Sequence, residues 1–125
     1  MENKFTRAIP QLPVLDVTEA TQFYRDVLGF KIDWTWGEND YGAVSRDGVC
    51  LHLRCVHEPN FAQIAAVEKS LILATIEVAN VQGLFEEFKA REVDFPQTLV
   101  KQPWGGTDFH IRDPDGNVIS FVTYS

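Results

Sequence analysis

The chain has 125 residues, too few for two independent domains of ordinary size and enough for one hydrophobic core. Hydrophobic residues make up 45% and charged residues 23%, which excludes disordered and fibrous classes. The 18 acidic side chains against 11 basic ones leave a net charge of −7, which repels nucleic-acid backbones and anionic lipid surfaces and favours cationic partners.

No run approaches the roughly 18 apolar residues of a membrane span, and the opening MENKFTRAIP lacks the apolar core of a secretory signal. A cytoplasmic location is the expectation. Cys50 and Cys55 share a strand-like run in which five residues advance roughly 16 Å. A disulfide tolerates only about 4.4–6.8 Å between Cα atoms, so both cysteines are expected to be reduced. Their number and spacing make no zinc motif.

Leu12 and Val14 alternate with Gln11 and Pro13 in a first strand. Asp16 then caps a helix, with Glu19 completing a D-x-x-E box. Val17, Ala20, Phe23, Tyr24, Val27 and Leu28 recur at helical spacing until Gly29 stops the helix. The pattern changes to strands over 30–36, 41–46 and 50–55, with Asp47-Gly48 turning between the last two. The same order returns as a strand over 70–78, Asn80 as cap, a helix over 81–92, and strands over 97–102, 107–112 and 117–123. Asp113-Pro114-Asp115-Gly116 joins the last pair. The spacing predicts a single domain made of two βαββ modules, about 8–56 and 70–124, joined by a linker at about 57–69.

Strand alternation assigns the faces. Leu12, Val14, Leu51, Leu53, Ile72, Ile76, Ile119 and Phe121 are expected to pack on the helices. The opposite face takes Ile9, Gln11, Pro13, Cys50, His52, Arg54, Leu73, Thr75, Glu77, Val118, Ser120 and Val122. That mixed set suits a concave ligand pocket between the modules.

LPVLDVTEATQFYRDVLGF and RDPDGNVISF resemble the two module signatures of the vicinal-oxygen-chelate superfamily, over roughly residues 8–124. The resemblance implies an α+β fold, two tandem βαββ modules forming a concave mixed sheet, as in glyoxalases and bleomycin-resistance proteins. In metal-dependent relatives the ligand positions correspond here to Ile9, His52, Leu73 and Ser120, the last replacing the Glu of a D-P-D-G-N-x-I-E pattern. A divalent site needs about three good protein ligands, and one imidazole among these four does not supply them. The implied reading has no metal, no cofactor and no catalytic residue, with His52 as a hydrogen-bonded pocket side chain.

AIPQLPVLDV, RDGVCLHL and Lys101-Gln102-Pro103-Trp104-Gly105 resemble the bleomycin-resistance branch. The resemblance implies that Trp104 and Tyr41 stack on flat heteroaromatic rings of a ligand. Trp34 and Trp36, two apart on one strand, extend that wall. In the topology that the resemblance implies, Asp33, Glu38, Asp40, Glu77 and Asp108 supply negative charge near them, and His52 and Ser120 complete the candidate set.

A protein that sequesters a bleomycin-type cationic aromatic glycopeptide antibiotic without chemical change is the implied function. The resemblance further implies a homodimer with exchanged N-terminal strands, and Pro10 and Pro13 suit such an edge strand. Two other readings stay open: a glyoxalase-related metal-dependent lyase, transferase or dioxygenase acting on a small substrate, and a binder of an endogenous metabolite.

Overall fold

Asp16 leaves an extended backbone, and its carboxylate accepts a hydrogen bond from the Glu19 amide at 2.9 Å, so the first helix starts at the capping box. In the computed structural model, which describes residues 2–57, 67–68 and 71–125, β1 (Gln11–Val14) leads into α1 (Val17–Asp26). Three strands follow: β2 (Lys31–Trp36), β3 (Tyr41–Arg46) and β4 (Val49–Cys55). The second series is β5 (Ile72–Glu77), α2 (Val81–Lys89), β6 (Asp94–Lys101), β7 (Gly106–Arg112) and β8 (Val118–Tyr124). Asn80 caps α2 by accepting from the Gly83 amide at 3.1 Å. Most of the expected linker, and Ser70 at the expected start of the fifth strand, lie outside the described residues.

Each series forms its own four-stranded mixed sheet, in the orders β1-β4-β3-β2 and β5-β8-β7-β6. The β1–β4 and β5–β8 pairs are parallel and the others antiparallel. This is the expected α+β fold of two βαββ modules. Within the chain β1 pairs with its own β4, Gln11 opposite His52. Both cysteines are free thiols. No helix among the described residues is long and apolar enough to cross a membrane.

The elements differ from the sequence reading at their ends. Helix α1 stops at Asp26, before the reversal at Gly29, whose φ is +76°. Helix α2 stops at Lys89, and Glu92, expected as its last residue, sits at φ +57°, a conformation no helix carries. Strand β6 begins at Asp94 and includes Pro96, which costs a ladder donor. An edge strand whose register shifts between Asp94 and Gln97 tolerates that loss.

One core spans both modules and holds Leu12, Val14, Leu51, Leu53, Ile76, Ile119 and Phe121 against Tyr24, Leu28, Phe85, Phe88 and Phe109. Each such side chain contributes about 1.5–3 kcal/mol by leaving water. Two of the face assignments are wrong. Ile72, expected in the core, is 37% exposed, and Leu73, expected on the pocket face, packs against the core. The cause is a bulge: Ile72 and Ala74 face the adjacent Val118 and Ile119, so one extra residue on β5 reverses the parity before it.

The D-P-D-G-N turn also joins the modules. Asp113 accepts from the Asp115 and Asn117 amides at 2.9 Å, from Asn117 Nδ2 at 3.0 Å and from the Tyr24 hydroxyl of α1 at 2.8 Å. Asn117 Nδ2 donates to the Pro13 carbonyl, and the Leu15 amide donates to Asp115. Burial raises the Asp113 carboxyl above its ordinary pKa against the lowering effect of these donors. The Tyr24 phenol rises well above its own, first through burial and then through the charge of Asp113.

Candidate ligand-binding site

In the first module a register shift in β2 between Ile32 and Trp34 sets Trp34 opposite Ala43 and Trp36 opposite Tyr41. Ala43 also faces His52 across β3 and β4, and its small side chain leaves the space in which three rings meet. Trp34 stacks on Tyr41 with centroids 5.6 Å apart and planes 9° off parallel. His52 stands edge-on to both rings at 5.3 Å, and its Nδ1 lies 2.9 Å from the Tyr41 hydroxyl. That contact fixes the phenol, and with it the stack, against the sheet.

An open cleft of about 670 Å³ lies over this wall, lined by Trp34, Thr35, Trp36, Asp40, Tyr41, Arg54, Cys55 and His57. Trp36 is 69% exposed, a large apolar side chain with nothing packed over it among the described residues. Glu38 is exposed in the turn between β2 and β3 and is not among the residues lining the cleft. Asp33 is already engaged, accepting from Ser45 at 2.9 Å with Lys31 at 3.4 Å.

In the second module Trp104 sits on the β6–β7 turn, 58% exposed and tilted against Tyr124 at 6.0 Å. Its indole lies where a side chain on Gly106 would stand, so glycine there admits the ring. Phe109 and Ile111 are fully buried in the core, which turns Asp108 and His110 to the opposite face of β7. Asp108 is buried and accepts from Gln97 Nε2 at 2.7 Å and Gln102 Nε2 at 2.9 Å, with His110 Nε2 at 3.5 Å. Ser120 lies opposite His110 and is also buried.

The structure therefore divides the candidate set. Trp34, Trp36, Asp40 and Tyr41 line one cleft with His52 against its wall, whereas Trp104, Asp108 and Ser120 belong to the second module. No second-module residue among those described lines that cleft. Glu77 instead lines a separate groove of about 490 Å³ with Arg46, Asp47, Asn80 and Glu87. That groove draws its lining from both modules, Phe30 and Arg46 with Glu77 and Phe88, but Glu77 is the one candidate residue in it.

Sequence reasoning missed His110, Gln97 and Gln102. The alternation Asp108-Phe109-His110-Ile111 carried the signal for His110, since Phe109 and Ile111 mark the core face. Gln97 and Gln102 had no such signal, because β6 shifts register twice.

The four positions that ligate metal in related enzymes do not fit an ion here. Leu73 packs on the core, Ile9 and Ser120 offer no strong donor, and His52 already contacts Tyr41 through Nδ1. Among the described residues no group of three His, Cys, Asp or Glu side chains is placed to hold a metal.

The profile of the glyoxalase/bleomycin resistance protein/dioxygenase superfamily matches residues 7–121. This chain belongs to that superfamily. Among the superfamily's members, a bleomycin resistance protein of Geobacillus stearothermophilus is 31% identical over 92% of this chain and 94% of its own length. The bleomycin-binding protein of bleomycin-producing Streptomyces verticillus, solved in complex with copper(II)-bleomycin, is 32% identical over 99% of both chains, with a TM-score of 0.75. Another bleomycin-binding protein solved with bleomycin, 19% identical, has a TM-score of 0.76 over 97% of this chain and 100% of that one, and shares the superfamily fold.

Proposed function

We propose that this superfamily member binds a bleomycin-type cationic aromatic glycopeptide and holds it without chemical change. The observation that carries the reading is the exposed wall of Trp34 stacked on Tyr41, with Trp36 and Asp40 beside it. Flat rings gain about 0.5–1.5 kcal/mol beyond burial by stacking on such a face. A cation gains a similar amount over an exposed indole, and the net charge of −7 attracts it. The likeness to a bleomycin resistance protein and to a bleomycin-binding protein supports this ligand class. The donor set lends no support to a metal-dependent reaction.

A second copy of the chain completes the site in this reading. The Trp34–Tyr41 wall and Trp104 are on different modules, and a homodimer brings one chain's Trp104 across from its partner's wall. Exchange of β1 between the copies is one way to build that dimer, since Glu2–Ala8 precede β1 and are exposed. The two modules act together as one domain, and the protein works in the cytoplasm.

Tryptophan fluorescence during a bleomycin titration tests the reading, because the three tryptophans are exposed. Saturable quenching is the expected result. A trace that never departs from simple dilution contradicts it.

A further inference from the structure

The inner face of the second module holds a polar pair that is left half-satisfied. Asp108 is 5% exposed and His110 is 7% exposed. Asp108 Oδ1 receives both carboxamide donors, from Gln97 and Gln102. Oδ2 has only His110 Nε2 nearby, at 3.5 Å, beyond an ordinary hydrogen bond. Among the described residues neither ring nitrogen of His110 makes a hydrogen bond. The chain's own cations do not fill the gap: Arg112, the next residue on this face of β7, donates to Asp94 at 3.0 Å, and Lys101 is exposed.

No buried side-chain oxygen or nitrogen among the described residues lacks a partner, so Asp108 Oδ2 and the His110 ring nitrogens, which make no hydrogen bond, still reach solvent and are open to an arriving donor. A carboxylate fixed by two carboxamides has its remaining oxygen already oriented, so a donor that arrives meets a prepared acceptor. The two modules thus present different chemistry, rings on one and a directed anion on the other.

We propose that Asp108 and His110, oriented by Gln97 and Gln102, form an anchor for a nitrogen cation of the ligand, an amine or a guanidine-type group. The cation donates to Asp108 Oδ2 while its remaining N–H contacts a free ring nitrogen of His110. This inference rests on the ligand-binding reading above and adds the place where the charged part of the ligand is held.

Calorimetric titration of the parent and of Asp108→Asn tests it, using bleomycin and the same drug with its cationic terminal group removed. The parent is expected to bind the cationic drug at least tenfold more tightly than the trimmed one, and Asp108→Asn to bind both equally weakly. Full affinity of the variant for the cationic drug overturns the anchor and leaves the bleomycin reading standing. An equal loss for both drug forms also overturns it, because it shows a purely structural role. If the variant does not fold, the His110 ring resonances of the parent decide: movement with the cationic drug alone supports the anchor, and the same response to both forms refutes it. If the parent binds neither drug, the bleomycin reading fails by itself. The anchor is then judged with agmatine, where a saturable shift of the His110 ring supports it and no shift rejects it.

Discussion

At the scale of single residues, exposure separates side chains that hold the fold from those free to meet a ligand. Tyr24 and Phe109 are fully buried, whereas Trp104 keeps 58% of its surface in water, with its ring over Gly106 and tilted against Tyr124. Trp104→Ala should therefore melt close to the parent temperature. Its bleomycin affinity should fall at least tenfold, which corresponds to about 1.4 kcal/mol and matches the loss of stacking plus cation attraction. Thermal melts beside a binding titration check both halves, and a large fall in melting temperature would mark Trp104 as a packing residue. Trp34 and Trp36 were legible as a pair two apart on one strand, and Trp104 and Tyr41 through the family resemblance. His110 stands in an equally clear alternation.

At the scale of elements, caps and turns were legible and irregularities were not. Asp16 and Asn80 cap their helices because short acceptors at those points satisfy backbone amides that helices leave free. The bulge at Leu73 has no such local chemistry. It follows from how β5 meets β8, and it put Ile72 and Leu73 on the wrong faces. The junction of β3 with α2 carries a pH signature. Arg46 donates to Glu87 at 2.8 and 3.0 Å and to the Leu28 carbonyl at 2.9 Å, and Arg91 reaches Glu87 at 3.3 Å. The Arg46 hydrogen bonds hold the Glu87 carboxyl below its ordinary pKa. A lowered folded value means that this contribution is fully present above the unfolded pKa of about 4.3 and is lost as pH falls through the folded value. Asp113, raised by burial, acts in the opposite sense: its share is present at low pH and lost as pH rises. Glu87→Gln should lower stability at neutral pH by about 0.2–1 kcal/mol, since the pair is about a third exposed. It should also flatten the fall in melting temperature as pH drops below about 4.3. An acid limb as steep as the parent's would show that Glu87 is not its source.

At the scale of the molecule, two matching halves were legible because each repeats the order strand, capped helix and three strands. How the halves meet was not, because that depends on contacts distant in sequence, such as Tyr24 with Asp113 and Arg46 with Glu87. For the same reason the candidate residues divide, most of them between an aromatic cleft on one module and a polar face on the other. We propose that a bleomycin-type drug is held unchanged where these faces meet between two copies. Native mass spectrometry of the protein mixed with bleomycin tests this most directly, reading assembly, stoichiometry and drug mass together. A dimer carrying two drug molecules, each released at its original mass, is the expected result. Chains that carry no drug, or drug released with mass gained or lost, would contradict it.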